Sequence, residues 1–226
     1  MFSLITGANG FIGSHLTRFL IAQGEQVRVL IRPQRDVRSL EGLPAEFAYA
    51  DLQETHSLPA RLRRVQCVYH VAADYRLWAE NPQDIYESNV TGTRNLLAAR
   101  RAQIGRFICT SSVGTLVPPH ARRLPDEQTH LRLKDMIGHY KRSRFLAEPE
   151  ALEVARNGQP GVIVNPTSLV GLARHKMFVD CSKASHGLGF RPGPLEAALE
   201  RAIRWYSENG YVKIPLRNRS ARECAA

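Results

Sequence analysis

Six short runs of the chain are mostly apolar and rich in β-branched or aromatic residues: Phe2–Thr6, Val27–Ile31, Glu46–Ala50, Cys67–Val71, Arg106–Ser111 and Gly161–Asn165. Such runs suit parallel strands covered on both faces, where strict alternation of apolar and polar positions is not required. Between them the apolar residues recur at helical spacing. In the first such stretch Ile12, Leu16, Phe19 and Leu20 fall on one stripe, and Gly24 stands just past the last turn as a stop. Further helices are predicted over 54–64, 82–103 and 135–157. Strand and helix in alternation predict a doubly wound α/β sheet, whose ligand crevice lies at the carboxyl ends of the strands.

After residue 171 the rhythm stops. Residues 172–193 have no clean period and read as a connector with room for one short helix. An amphipathic helix follows: Pro194 suits its first turn, Leu195, Leu199, Ile203 and Tyr206 share a face with Ala198 and Ala202, and Gly210 closes it. The tail from Lys213 to Ala226 has no period and is expected to fray. The predicted organisation is a sheet domain over 1–171 and a connector, helix and tail over 172–226.

With 226 residues and 43% hydrophobic content the chain can bury a core without staples. No apolar run is long enough to span a membrane, and no secretory signal precedes the first strand, so a cytoplasmic protein is expected. Cys67, Cys109, Cys181 and Cys224 share no metal-type spacing; Cys67 and Cys109 read as buried free thiols, and no metal site is predicted. The net charge is +10, and 26 of the 31 basic residues are arginine. They recur along the whole chain rather than in one block, which reads as a solvated basic surface and leaves a nucleic-acid site as the remote alternative.

Thr6-Gly7-Ala8-Asn9-Gly10-Phe11-Ile12-Gly13 links the first strand to the first helix. At that place glycines allow a tight turn and a close backbone approach to a pyrophosphate, and the helix N-terminus favours its charge. A bare strand-to-helix turn would need no more than this, but five further strands follow, and nucleotide binding is the better reading. An acid about 20 positions on would favour NAD. The second strand ends instead at Ile31-Arg32-Pro33-Gln34-Arg35, where Arg32 and Arg35 could embrace a 2′-phosphate. NADP is therefore the expected cofactor, with NAD as the other candidate.

The order TGANGFIG, Asp51-Leu52, HVAA (His70–Ala73), NVTGT (Asn89–Thr93), TSSVG (Thr110–Gly114), YKRSR (Tyr140–Arg144) and VNPT (Val164–Thr167) resembles the extended short-chain dehydrogenase/reductases. Within them it is similar to the dihydroflavonol-reductase-like and hopanoid-associated sugar-epimerase branch of the NAD-dependent epimerase/dehydratase family. The resemblance implies a Rossmann-type doubly wound parallel sheet, here with a short C-terminal helical remnant. It implies that Gly7, Asn9, Gly10, Phe11, Ile12 and Gly13 hold the pyrophosphate and that Asp51 and Leu52 contact the adenine. Ala72, Ala73 and Thr110 would line the path to the nicotinamide, which Pro166 and Thr167 would border, and Asn89 would order the active-site helix and loop. Ser112, Tyr140 and Arg144 would be the catalytic set, with Tyr140 and Arg144 also touching the cofactor. His70 reads as a packed strand residue, and its sequence neighbours offer it no partner.

The chemistry explains the residue types. Hydride transfer to or from a carbon bearing oxygen requires a proton to move on that oxygen. A phenol, ordinarily near pKa 10, is useful at neutral pH only beside a cation, which a basic residue at i+4 supplies from the same helix face. Ser112 would hydrogen-bond the reacting oxygen. Three features depart from the family. It has lysine where this chain has Arg144, whose planar fork cannot place one ammonium on both ribose hydroxyls and which could instead pair with Glu148. Pro149 falls inside the predicted helix and is expected to kink it. A long mixed segment that forms the family's substrate lobe is almost completely missing between Gly171 and Lys176. The resulting expectation is an NAD(P)-dependent reductase or epimerase acting on a nucleotide sugar or dihydroflavonol-like small molecule, a homodimer being compatible with it. A non-catalytic NADP(H)-binding module or redox sensor is the alternative.

Overall fold

The computed structural model describes residues 1–99, 105–117, 125–126, 128–156, 158, 160–166, 182–189, 191, 193 and 195–208. The chain divides into two compact units, Met1–Lys183 and Ala184–Ala226. The first is built on six strands: β1 (Phe2–Thr6), β2 (Gln26–Ile31), β3 (Glu46–Tyr49), β4 (Cys67–His70), β5 (Arg106–Thr110) and β6 (Gly161–Val164). They pair in the order β3-β2-β1-β4-β5-β6, every pair parallel. The predicted doubly wound sheet is thus present, and its order reverses between β1 and β4, where a crevice must open.

Helices α1 (Phe11–Ala22), α2 (Leu58–Arg61), α3 (Gln83–Tyr86), α4 (Gly92–Ala99) and α5 (Gly138–Arg156) connect the strands. Successive strand residues face opposite layers. Leu4, Leu30, Val68 and Phe107 join a core with Leu58 and Leu62, Leu96 and Ala151, while Ile5, Val29 and Ile31 join one with Leu20 and Leu40. In β1, β2 and β4 nearly every side chain is buried, as their apolar runs predict. The edge strands depart from that: Phe47 and Tyr49 of β3 and Val162 and Val164 of β6 are exposed. Apolar runs alone do not tell an edge strand from a central one.

The buried face of α1 also differs from the expected stripe. Gly13, Ser14, Thr17 and Leu20 face inward, whereas Phe19 is 60% exposed. Small residues win because the helix lies close to β1. A Cβ on Gly13 would stand 2.2 Å from the Gly7 carbonyl oxygen, and the Thr17 hydroxyl is satisfied by donating to the Gly13 carbonyl at 2.8 Å. The helix stops as predicted: Gly24 takes φ +78, with Gly24 N–H donating to Ile21 and Glu25 N–H to Leu20.

Two helical predictions are redrawn. The span 54–64 resolves into a tight turn, Thr55–Ser57, running into α2, and 82–103 into α3, a wide turn over Glu87–Thr91, and α4. Pro149 does not interrupt α5, which runs through it to Arg156. A short helix, α6 (Ser182–Leu188), lies across the division between the units. In the second unit α7 (Leu195–Glu208) occupies the predicted amphipathic segment; its Ile203, expected on the apolar face, is 49% exposed. Residues 172–181, Gly210 and the tail from Lys213 lie outside the described residues. Among the described residues no helix is long and apolar enough to cross a membrane.

One arginine is structural. Arg28 of β2 is 8% exposed, forms a two-pronged pair with Glu46 of β3 at 2.8 and 3.0 Å, and donates to the Arg61 and Arg63 carbonyls at 2.6 and 2.9 Å. It therefore staples an edge strand and the open end of α2 together, with its guanidinium over the Phe2 ring. Hydrogen bonds from a charged donor contribute about 1.5–3 kcal/mol each when their removal orphans the partner. Because water can rescue the half-exposed Glu46, Arg28→Met is expected to cost about 2–3 kcal/mol in all, read as a lower urea midpoint with unchanged slope. A midpoint equal to that of the parent would show the staple to be dispensable.

Candidate active site

Most candidate residues lie in or just after the carboxyl ends of the parallel strands, with Asn89 in the turn before α4 and Tyr140 and Arg144 in α5. The turn after β1 is a cradle formed by what its glycines lack. Gly7 takes φ +66, and a Cβ there would stand 2.6 Å from Ala72 Cα, so the turn after β1 lies against the chain leaving β4. Gly10 caps α1 without a side chain, is exposed, and would meet only the Gly7 carbonyl at 3.3 Å if it had a Cβ. No acid stands in the first turn of α1, so its positive end is open to an anion. The backbone fits a pyrophosphate. Phe11 and Ile12 begin the helix, half-buried. Asn9 is used differently from the expectation. Its side chain donates to the Asp36 carbonyl at 3.0 Å and its own carbonyl accepts from Ser39, which ties the loop after β2 to the cradle.

That loop carries Arg32 and Arg35, both exposed. Asp74 is held below the usual carboxylate range, first by hydrogen bonds from Arg76 and more weakly by the charge of Arg32 across the mouth. Asp51, after β3, accepts from Gln53 N–H at 3.0 Å, and Leu52 packs on the core beside Gly92, where a Cβ would stand 3.2 Å from it. Ala73 is exposed, and the half-buried Ala72 donates its N–H to Thr6 Oγ1 at 3.2 Å.

Beneath the cradle runs a buried hydrogen-bond relay that the sequence did not announce. Thr6 Oγ1 lies 2.8 Å from His70 Nδ1, His70 Nε2 lies 2.8 Å from Thr93 Oγ1, and the Thr93 hydroxyl donates to the Asn89 carbonyl at 2.6 Å. Since the Thr93 proton is committed to Asn89, Nε2 donates to Thr93, and in the neutral ring Nδ1 accepts from the Thr6 hydroxyl. Burial, and then the nearby charge of Arg144, push the His70 pKa down to about 3. His70 is a packed strand residue, as expected, but its partners come from β1 and α4 rather than from its sequence neighbours. Asn89, fully buried in the wide turn before α4, pairs with both backbone groups of Asp74 at 2.7 and 2.8 Å and with Ser143 Oγ at 2.9 Å. It thereby joins the loop after β4 to α5.

Thr110 ends β5. Ser112 opens the turn Val113–Thr115, with its Oγ accepting from Gly114 N–H at 3.1 Å. Glu148 of α5 accepts from Thr115 Oγ1 at 2.7 Å and from Asn165 at 2.8 Å, and Asn165 also donates to the Ser112 carbonyl. The expected Arg144–Glu148 pairing is thus replaced, because Glu148 bonds to the turn and to β6's exit. Val113 N–H donates to the Pro166 carbonyl at 3.0 Å; Thr167 lies outside the described residues. Tyr140 is half-buried in the first turn of α5, and its carbonyl accepts from the Ser143 hydroxyl. Arg144 is 1% exposed, and its Nε and Nη1 are sealed from solvent without a partner. Its guanidinium lies beside the ends of β4 and β5: it depresses His70 and pulls down on the Cys109 thiol, which burial pushes up more strongly. Ser111 Oγ is likewise buried and unpartnered.

Such an edge, with a glycine cradle, a Ser112 turn and a Tyr140 helix, has known counterparts. The family model for the NAD dependent epimerase/dehydratase family matches residues 3–188. The chain belongs to that family. It is 40% identical over 168 residues to a putative dihydroflavonol 4-reductase of Synechocystis, covering 74% of this chain and 49% of that protein. It is 37% identical over 172 residues to sterol demethylase protein B of Methylococcus capsulatus, covering 76% and 52%. The UDP-glucose 4-epimerase of Thermus thermophilus, solved with NAD, superposes with a TM-score of 0.66 at 26% identity, over 73% of this chain and 54% of that one. The chain therefore spans about half the length of the curated relatives it matches.

For this family member the buried relay makes a pH dependence. His70 is neutral when folded down to about pH 3 but takes a proton near pH 6.5 when unfolded. Acid therefore favours the unfolded chain, and stability is lost as pH falls below 6.5, by up to about 1.4 kcal/mol per pH unit from this one group. Urea midpoints at pH 7, 6 and 5 should fall in the parent and fall less steeply in His70→Gln. Parallel pH profiles in the two proteins would mean that His70 is not the group titrating.

Proposed function

We propose that the chain is an NADP-preferring reductase domain that moves a hydride to the carbonyl carbon of a small apolar compound. The observation that carries the cofactor reading is the cradle: Gly7 and Gly13 have no room for a side chain, Gly10 is open, and α1 begins beside them without an acid. Gly7, Gly10 and Gly13 would hold the pyrophosphate and Asp51 the adenosine end. Arg32 and Arg35, exposed where a ribose-binding acid would stand, support a 2′-phosphate, since guanidinium and phosphate make charge-assisted bonds. Ala72, Pro166 and Arg144 would flank the nicotinamide ribose and ring, Arg144 through Nη2, the one guanidinium nitrogen not both sealed and unpartnered.

The bound nicotinamide would supply the hydride. Ser112 would hold the substrate oxygen by a hydrogen bond, and Tyr140 would give that oxygen its proton as negative charge gathers there. Asn89 would keep the loop after β4 and α5 in fixed relation, and Glu148 would do the same for α5 and the Ser112 turn. An apolar substrate is favoured over a nucleotide sugar by the loop leaving β4, where Tyr75, Leu77 and Trp78 are 77%, 65% and 79% exposed. Relatives named as a dihydroflavonol reductase and as cinnamoyl-CoA reductases agree with that choice. One observation favours a second reading, a cofactor-binding module without turnover: the buried, unpartnered nitrogens of Arg144.

Titration of NADPH and NADH by fluorescence tests the cofactor assignment. NADPH should bind more tightly, and Arg32→Ala should weaken NADPH by roughly tenfold while leaving NADH nearly unchanged, as expected for a lost charge-assisted bond. Equal losses for both would remove the 2′-phosphate site. Oxidation of NADPH with an aromatic aldehyde or ketone tests the chemistry. Tyr140→Phe should abolish it with NADPH affinity retained, and turnover that survives this substitution would rule out Tyr140 as the proton donor. Tight NADPH binding with no turnover in the parent would select the second reading.

A further inference from the structure

The lysine that the family sets four residues after the tyrosine is replaced here by Arg144, but a lysine stands directly after Tyr140. Lys141 is half-buried, and its stem lies along the turn that carries Ser112. A Cβ on Gly114 would meet Lys141 Cε at 3.2 Å, Lys141 Cγ at 3.3 Å and Ser112 Oγ at 3.3 Å. The end of the lysine stem and the serine hydroxyl therefore flank one point, and the room at that point exists because residue 114 is glycine. Among the described residues no hydrogen bond or ion pair joins the Lys141 ammonium. Glu148, further along α5, is bonded to Thr115 and Asn165. Arg142 donates to the Met136 carbonyl. Arg144 is turned to His70 and Cys109.

We propose that Lys141 is the positioning residue that brings positive charge to the Ser112 end of the site, the task Arg144 is too deeply buried to perform in full. The inference rests on the reductase reading. As hydride reaches the carbonyl carbon and the Tyr140 proton reaches the oxygen, negative charge on that oxygen passes through a maximum beside Ser112. An ammonium free of partners beside that turn stabilises the charge without exchanging a proton. Lysine suits the position because a flexible stem can follow the turn and aim one compact charge.

The chain has five lysines, Lys134, Lys141, Lys176, Lys183 and Lys213, so limited acetylation with peptide mass analysis resolves each of them. With NADP+ bound, acetylation of Lys141 should fall at least about threefold while that of Lys134 stays unchanged. In steady-state assays Lys141→Met should lower kcat about tenfold with KM and NADPH affinity nearly unchanged, and Lys141→Arg should recover most of the loss. Failure of the parent to bind NADPH at all would overturn the reductase reading and this inference with it. Bound NADPH with Lys141 unprotected, or a Lys141→Met protein with parental kcat, would overturn the inference alone.

Discussion

The carboxyl ends of β1 and β4 meet without a side chain between them, and the rest of the site depends on that contact. Any Cβ on Gly7 would lie 2.6 Å from Ala72 Cα and 2.7 Å from its nitrogen, distances that no rotamer can relieve because both atoms are backbone. With Gly7 in place, Thr6 reaches both Ala72 N–H and His70 across the point where the strand order reverses. Gly13 extends the same constraint upward, since α1 can begin over the crevice only where its first turn can touch the Gly7 carbonyl. The helix end that could hold an anion is thus placed by two missing side chains.

From that contact a polar thread runs through the interior: Ala72, Thr6, His70, Thr93, Asn89, Ser143. The Thr93 proton goes to the Asn89 carbonyl, so Nε2 is the donor at the ring, and burial keeps the imidazole neutral. The consequence is rigidity where the sheet meets α4 and α5. A buried Arg144 beside this thread reinforces it electrostatically, because a positive charge on His70 would face the guanidinium directly. The cost falls on Arg144 itself, whose Nε and Nη1 have no acceptor, and unsatisfied buried donors are expensive.

What is legible in the sequence follows from local rules. Six apolar runs correspond to six strands within a residue or two at each end, and Gly24 ends α1, because strand runs and helix stops are determined by neighbours along the chain. The face of α1 is legible only in part: Leu16 and Leu20 pack on the core as their spacing predicts, whereas Phe19 is exposed and close approach buries Gly13 and Thr17. Pro149 lies inside α5, which runs on to Arg156. The relay partners of His70, the bonding of Glu148 to Thr115 and Asn165, and the position of Lys141 on Gly114 join residues far apart in sequence. No periodicity encodes them, although Thr93 and Asn165 lie inside the NVTGT and VNPT motifs.

The excess of arginine has a local use that neither a surface habit nor a nucleic-acid groove describes. Arg18 donates to the Ser39 carbonyl, Arg28 to those of Arg61 and Arg63, Arg61 to that of Tyr49, and Arg142 to that of Met136. Arg94 of α4 reaches Glu150 of α5 at 2.6 Å. Most of these carbonyls lie at loop, strand and helix ends, where backbone partners run out, and a planar fork of N–H groups can meet them while its charge stays near water. In this way Arg18, Arg28, Arg61 and Arg142 close loose ends of the chain. Position 144 is where the same choice has the opposite effect. There the fork is enclosed and no carbonyl meets its Nε and Nη1, so a residue that elsewhere adds a clamp leaves two donors idle.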